Sequence, residues 1–236
     1  MLRLYQLERT WGIPNLSHFC CKIETYLRMA DIEYEIIPTL PLTAPKGKLP
    51  YIEDNHTKIG DSQFIIHYLK KNYKNLDETL NNKDQAISLA MQRLLEENLY
   101  WATMYSRWQY TDENWQINKK AIFGVMPPVV RNIAATYFRN KINKQIYGHG
   151  IGRHKSEEIF KIGISDIDAI SDFLGENNYF LGKKPSTLDA SAFGILINTI
   201  GCPIESPLKD HGLSKNNLIN FIDRIKSHYF SDLQLN

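Results

Sequence analysis

Strand-forming sequence in this chain stops near residue 75. Before that point, short β-branched and aromatic runs follow a fixed order. A strand is predicted over residues 2–7, a helix over 17–30 and a strand over 33–38. A Leu49-Pro50 turn then opens a strand over 50–53, followed by a strand at 58–59 and a helix over 61–73. This is a βαβ unit followed by ββα. A right-handed crossover makes the first two strands parallel neighbours. Asp54-Asn55-His56 is short enough to close an antiparallel hairpin. The sum predicts a four-stranded mixed sheet with helices packed on it.

From Asn81 onward helical periodicity takes over. Ile87, Met91, Leu94, Ala102 and Tyr105 are predicted on one face of a long helix, and Leu218, Phe221, Ile222 and Ile225 on one face of a later one. Met126-Pro127-Pro128 interrupts the pattern and restarts it, since proline fits a first helical turn. Gly148-His149-Gly150-Ile151-Gly152 breaks it again. Ser186-Thr187-Leu188-Asp189 heads the apolar run 190–200 as a capping box. The expected organisation is an α/β domain over 1–75, a linker over 76–82 and an all-helical domain over 83–236.

Composition excludes several classes. With 43% hydrophobic and 23% charged residues the chain has the makeup of a packed globular protein. A net charge of +2 with mixed signs offers no basic stripe for nucleic acid. Three cysteines, two of them adjacent, make no disulfide framework and suit a reducing compartment. No segment reaches the roughly 18 apolar residues of a membrane span. Met1-Leu2-Arg3-Leu4-Tyr5 enters a strand directly, so the expectation is a cytoplasmic protein.

Three places in the first 75 residues can carry chemistry. Ser17-His18-Phe19-Cys20 stands where the first strand gives way to the first helix, and unpaired N–H groups and the helix dipole favour a thiolate there. Two roles fit Ser17, a donor to a bound thiolate or an N-cap. Two fit Cys20, a redox thiol or a small buried hydrophobe. Leu49 offers backbone N–H and C=O groups at an X-Pro turn, the logic of strand addition by an extended peptide. Gly60-Asp61-Ser62 opens another helix, where Ser62 can hold a carboxylate and Asp61 an ammonium, or where Asp61 is simply the cap.

In this order and spacing the three places resemble the thioredoxin-like N-terminal domain of the glutathione transferase superfamily. Tyr179-Phe180-Leu181-Gly182 with Ser186-Thr187-Leu188-Asp189-Ala190 resembles the buried-helix capping motif of its helical domain. Within the superfamily the chain is most similar to the branch of failed-axon-connections proteins and metaxins. The likeness rests on residues 17–30, Ala44-Pro45-Lys46-Gly47-Lys48-Leu49-Pro50-Tyr51-Ile52, Asp61-Ser62 and the glycine-rich run over 150–154.

The resemblance implies glutathione as co-substrate, without a metal. Ser17 would donate to its sulfur, with Cys20 or, from the first strand, Tyr5 as alternatives. Leu49 with a cis-Pro50 would pair with the cysteinyl part, and Asp61 and Ser62 would hold the γ-glutamyl end. It further implies a small apolar electrophile as second substrate, conjugation of the detoxifying kind, and a homodimer. The alternatives are glutathione-dependent reduction through Cys20 and a metaxin-like interaction scaffold without turnover.

Only nine residues separate the second strand from Lys48, where a typical transferase fits a short helix. That leaves Lys48 or Lys46 for the glycyl carboxylate, unless both are surface lysines. Trp11 is expected on one wall of the electrophile pocket, and Tyr105, Trp108 and Phe123 on the other; aromatics at helical spacing equally suit a core. Arg153 replaces the third glycine of a dinucleotide fingerprint after Gly148 and Gly150. His149 and His154 lack the spacing of a helical metal pair.

Overall fold

The computed structural model describes residues 1–235. β1 (Leu2–Gln6), β2 (Tyr34–Pro38), β3 (Tyr51–Asp54) and β4 (Thr57–Gly60) form one mixed sheet in the order β2-β1-β3-β4. β1 runs parallel to β2, with Leu4 opposite Ile36, and antiparallel to β3, with Leu4 opposite Ile52. The β3–β4 hairpin turns at Asn55 and His56, both at positive φ. α1 (His18–Met29) and α2 (Ser62–Asn72) pack together, α1 burying Ile23, Tyr26 and Leu27 and α2 burying Ile65 and Leu69. The predicted four-stranded sheet and its helices are present, and the short connection before Lys48 contains a single 3-10 turn at Pro41–Thr43.

The rest is helical. α3 (Asn82–Arg93) continues through a π segment (Leu94–Leu99), α4 (Tyr100–Tyr105) and a second π segment (Ser106–Tyr110). Then come α5 (Asp112–Phe123), α6 (Pro128–His149), α7 (Ser156–Leu174), α8 (Thr187–Thr199), α9 (Pro207–Leu213) and α10 (Asn216–Tyr229). α10 buries Leu218, Phe221, Ile222 and Ile225 as its period predicts. The α3–α4 stripe differs. Ser88, Leu95, Leu99 and Ala102 are buried, while the predicted Ile87, Met91, Leu94 and Tyr105 are only partly covered. The π turns each take in an extra residue and rotate the faces away from a uniform 3.6 period.

α8 is buried along its whole length. Its capping box is made by Asp189, which accepts from the Ser186 N–H (2.8 Å), the Ser186 hydroxyl (2.7 Å) and the Phe180 N–H (2.9 Å). Burial pushes the Asp189 carboxyl up to about 6 in spite of these donors. α8 crosses α1 at Gly194, where an added Cβ would stand 2.6 Å from the His18 carbonyl oxygen. That close approach fixes the two halves of the chain against each other at the start of α1. Among the described residues no helix is long and apolar enough to cross a membrane.

Candidate functional site

The start of α1 is held from below. Asn15 donates to the Leu7 carbonyl (2.7 Å) and accepts from the Ser17 N–H (3.0 Å). Arg107, buried in the second π segment, donates to the Leu16 carbonyl (2.6 Å) and to the Asn198 carbonyl and side-chain oxygen (both 2.7 Å). Asn198 in turn donates to the Asn15 carbonyl (3.0 Å). The loop that presents Ser17 is thereby tied to α8 and to the long helix. Burial, with the Arg107 charge beside it, holds the His18 imidazole well below its usual range, so it is neutral.

Ser17 is the N-cap of α1, its Oγ accepting from the Cys20 N–H at 3.4 Å, and it lines a large cavity between the sheet domain and the helices. Cys20 does not line it. Its side chain is fully buried, and burial pushes the thiol up to about 12 although Ser17 is adjacent. The dipole argument for a thiolate at Cys20 fails here because the side chain is fully buried and desolvation outweighs the dipole. Cys21 and Cys202 are also buried and free.

The Leu49-Pro50 bond is cis and immediately precedes β3. Gly60 ends β4 and Asp61 caps α2 through its bond from the Gln63 N–H (3.1 Å). Asp61 adopts φ 83°, a conformation sparsely populated outside glycine and found mostly where structure around a site enforces it. Lys48 Nζ pairs with Asp61 Oδ2 at 3.2 Å. Burial alone would raise the Asp61 carboxyl; the Gln63 N–H and Lys48 outweigh it and bring it below the usual range. Lys48, Leu49, Pro50, Asp61 and Ser62 all line the same cavity as Ser17. Lys46 instead lies over the Phe64 ring, 4.0 Å from its centroid.

The cavity measures about 1390 Å³. Trp108 and Phe123 are on its helical wall. Tyr5, Trp11 and Tyr105 are elsewhere. Tyr5 stacks on Tyr51 at 4.2 Å on the outward face of the sheet, its hydroxyl donating to Glu53 (3.1 Å), because its position in β1 shares the parity of exposed Arg3. Trp11 sits at positive φ beneath Arg107, whose guanidinium lies 5.1 Å from its ring. The Tyr105 hydroxyl bonds Ser156 at 2.6 Å and its ring meets Phe160, so it belongs to the α4–α7 packing.

Sequence reasoning missed most of the helical wall. α6 contributes a continuous line from Val130 to His149, and the long helix adds Glu96, Glu97, Tyr100 and Trp101. His149 stacks on Trp101 (4.9 Å) and its Nε2 meets the Glu97 carbonyl (3.0 Å). Glu96 is buried and paired with buried Lys22 of α1 at 2.5 Å, a second tie between the two walls.

Comparison with known proteins agrees with this fold. The glutathione S-transferase N-terminal domain pattern matches residues 18–114, and the C-terminal domain pattern of the same enzymes matches residues 163–225. The chain is 35% identical, over 97% of its length and 99% of the relative, to an isoprene-epoxide--glutathione S-transferase of Rhodococcus sp. (strain AD45). It is 34% identical to Failed axon connections of Drosophila melanogaster, over 98% of the chain and 59% of that protein. Metaxin-3 of Xenopus laevis is 26% identical, over 98% of the chain and 77% of that protein. Among solved structures, glutathione transferase GSTFuA3 from Phanerochaete chrysosporium superposes with a TM-score of 0.67 at 15% identity, covering 98% of each chain.

Proposed function

Because the chain belongs to the glutathione transferase superfamily, we propose that it binds glutathione between Ser17, Leu49 and Ser62 and joins its sulfur to an apolar electrophile in the same cavity. The observation that carries this reading is the convergence of two helix N-termini, at Ser17 and Ser62, with the backbone at Leu49 on one cavity wall. The γ-glutamyl carboxylate takes the free N–H groups and hydroxyl at Ser62, where the helix dipole favours an anion. Its ammonium pairs with Asp61, already ionised. Leu49 pairs with the cysteinyl backbone.

Ser17 then donates its hydroxyl to the sulfur. That bond favours thiolate over thiol, lowering the thiol pKa so that the nucleophile is present at neutral pH. The thiolate forms the C–S bond as the leaving bond of the electrophile breaks. The name of the Rhodococcus relative supports an epoxide, in which the C–O bond opens and the resulting alkoxide takes a proton from water. Three buried free cysteines support a reducing, cytoplasmic setting, and the superfamily relationship supports a homodimer. Ser17→Ala should lower conjugation of a short epoxide or an aromatic halide by about 100-fold, the usual effect of removing a donor to developing or stabilised negative charge. Cys20→Ser should leave the rate within about twofold, because the thiol at position 20 is buried and protonated. Equal rates in Ser17→Ala and the parent would remove Ser17 from the chemistry.

A second reading is an interaction scaffold, favoured by the similarity to Failed axon connections and the metaxins. It predicts no heat of binding at millimolar glutathione.

A further inference from the structure

The cavity is far larger than glutathione and a small electrophile require. Ligand sites for drug-sized molecules enclose about 300–1000 Å³. At about 1390 Å³ the cavity lies above that range.

The shape and chemistry of that space are not uniform. The α6 line from Val130 to His149 extends about 29 Å at 1.5 Å per residue. Its second half carries Lys141, Gln145 and His149. Its first half presents Val130, Ile133, Ala134, Tyr137 and Phe138. Charged lining residues come from the sheet domain, from Glu96 and Glu97, or from Lys141 onward. The apolar half is joined to the rest of the cavity through Phe138, which packs on Phe123 (5.7 Å between centroids), and through Arg139, which donates to the Trp108 carbonyl (3.0 Å).

A second observation concerns what is left bare. Val130 is 53% exposed, Ile133 69% and Tyr137 63%, and Leu42, which lines the same cavity, is 79% exposed. Scattered apolar residues are ordinary on a surface, but these four line one cavity. An apolar chain lying along them would remove them from water.

We propose that the second substrate is a neutral electrophile with a long, unbranched or weakly branched hydrocarbon chain, which runs from the sulfur site at Ser17 along the apolar half of α6 toward Ile133 and Val130. This rests on the glutathione-conjugating reading and specifies the substrate class of that site. A terminal carboxylate is disfavoured, because the side chains that line the cavity in that half, Val130, Ile133, Ala134, Tyr137 and Phe138, carry no cation. The reaction is unchanged: the C–S bond forms at the electrophilic carbon, the C–O bond of the epoxide breaks, and water supplies the proton to the alkoxide.

Binding of a series of glutathione thioethers tests this without needing turnover. Isothermal titration would compare glutathione with its S-methyl, S-butyl, S-hexyl and S-decyl derivatives. Affinity should rise by about threefold per methylene, continuing past hexyl. In Ile133→Asp, at a position exposed enough for the variant to fold, the ratio of S-decyl to S-methyl affinity should fall at least tenfold. A plateau at butyl, with S-methylglutathione still bound, overturns the long-chain inference and leaves the glutathione site standing. An unchanged ratio in Ile133→Asp likewise overturns it. If neither glutathione nor any thioether binds, the glutathione-binding reading fails and this inference falls with it.

Discussion

Replacing one member of the buried Lys22–Glu96 pair should cost far more than replacing both. Both side chains are 2% exposed and Nζ lies 2.5 Å from Oε1, so neither charge has water as an alternative partner. Truncating one partner of such a pair typically costs about 3–5 kcal/mol, because the other charge is left buried and alone. Lys22→Met and Glu96→Leu should each lower stability by that amount. For a chain of this size each kcal/mol shifts Tm by about 2–4 °C, so each single variant should melt roughly 10 °C lower. The double variant, with two apolar groups of similar volume, should lie within about 1 kcal/mol of the parent or above it, since attraction in the interior roughly offsets desolvation. Urea titrations of the four proteins give the coupling directly, provided the m-values agree. Single variants that each cost under 1 kcal/mol would refute the reasoning, and would mean that the pair is solvated and does not tie α1 to the helical wall.

Three further outcomes follow from the site and its supports. Native Cys20 should react with iodoacetamide as slowly as a core thiol below neutral pH, since burial holds it up at about 12; rapid labelling would restore a reductase reading. Lys48→Ala should weaken glutathione binding by a few-fold at low salt, and added salt should erase the difference, because Lys48 is solvent-exposed and would meet the glycyl carboxylate as a screened point charge; a salt-independent loss would contradict this. Asp232 accepts from Arg28 and Arg9, which hold its carboxyl down at about 2. A depressed carboxyl contributes stability above its unfolded value of 3.8 and loses it as pH falls toward 2. Protection factors of amides in the Ser231–Leu235 turn, taken against the intrinsic rate at each pH, should therefore fall as pH drops through that window, and already at neutral pH in Asp232→Asn; equal protection in the variant would count against it.

The parts of this protein that were legible in its sequence are those set by local backbone chemistry. An X-Pro turn before a strand, a serine opening α1 and an acid-hydroxyl pair opening α2 leave marks within a few residues, and the strand order follows from loop length and crossover hand. The alternation in β1 also carried the information that Tyr5 faces outward with Arg3. Cys20 was ambiguous because a helix position three residues from its cap can face either side, and only the packed fold shows that its side chain is buried. Trp11 was misplaced because its partner, Arg107, is 96 positions away. The α6 wall gave no signal of periodicity, as apolar side chains occur all round its first turns, with Val129 as exposed as Ile133. A helix of that kind has no single core face to read, because one of its apolar faces borders a cavity.

The central claim is that glutathione occupies the groove between Ser17, Leu49 and Ser62. Its most direct test is isothermal titration of glutathione into the parent protein and into Ser62→Ala. The account predicts saturable binding to the parent and a loss of about tenfold or more in the variant, the worth of a charge-assisted hydrogen bond at about 1.5–3 kcal/mol. Binding that Ser62→Ala leaves unchanged, or no heat from the parent at millimolar ligand, would contradict it.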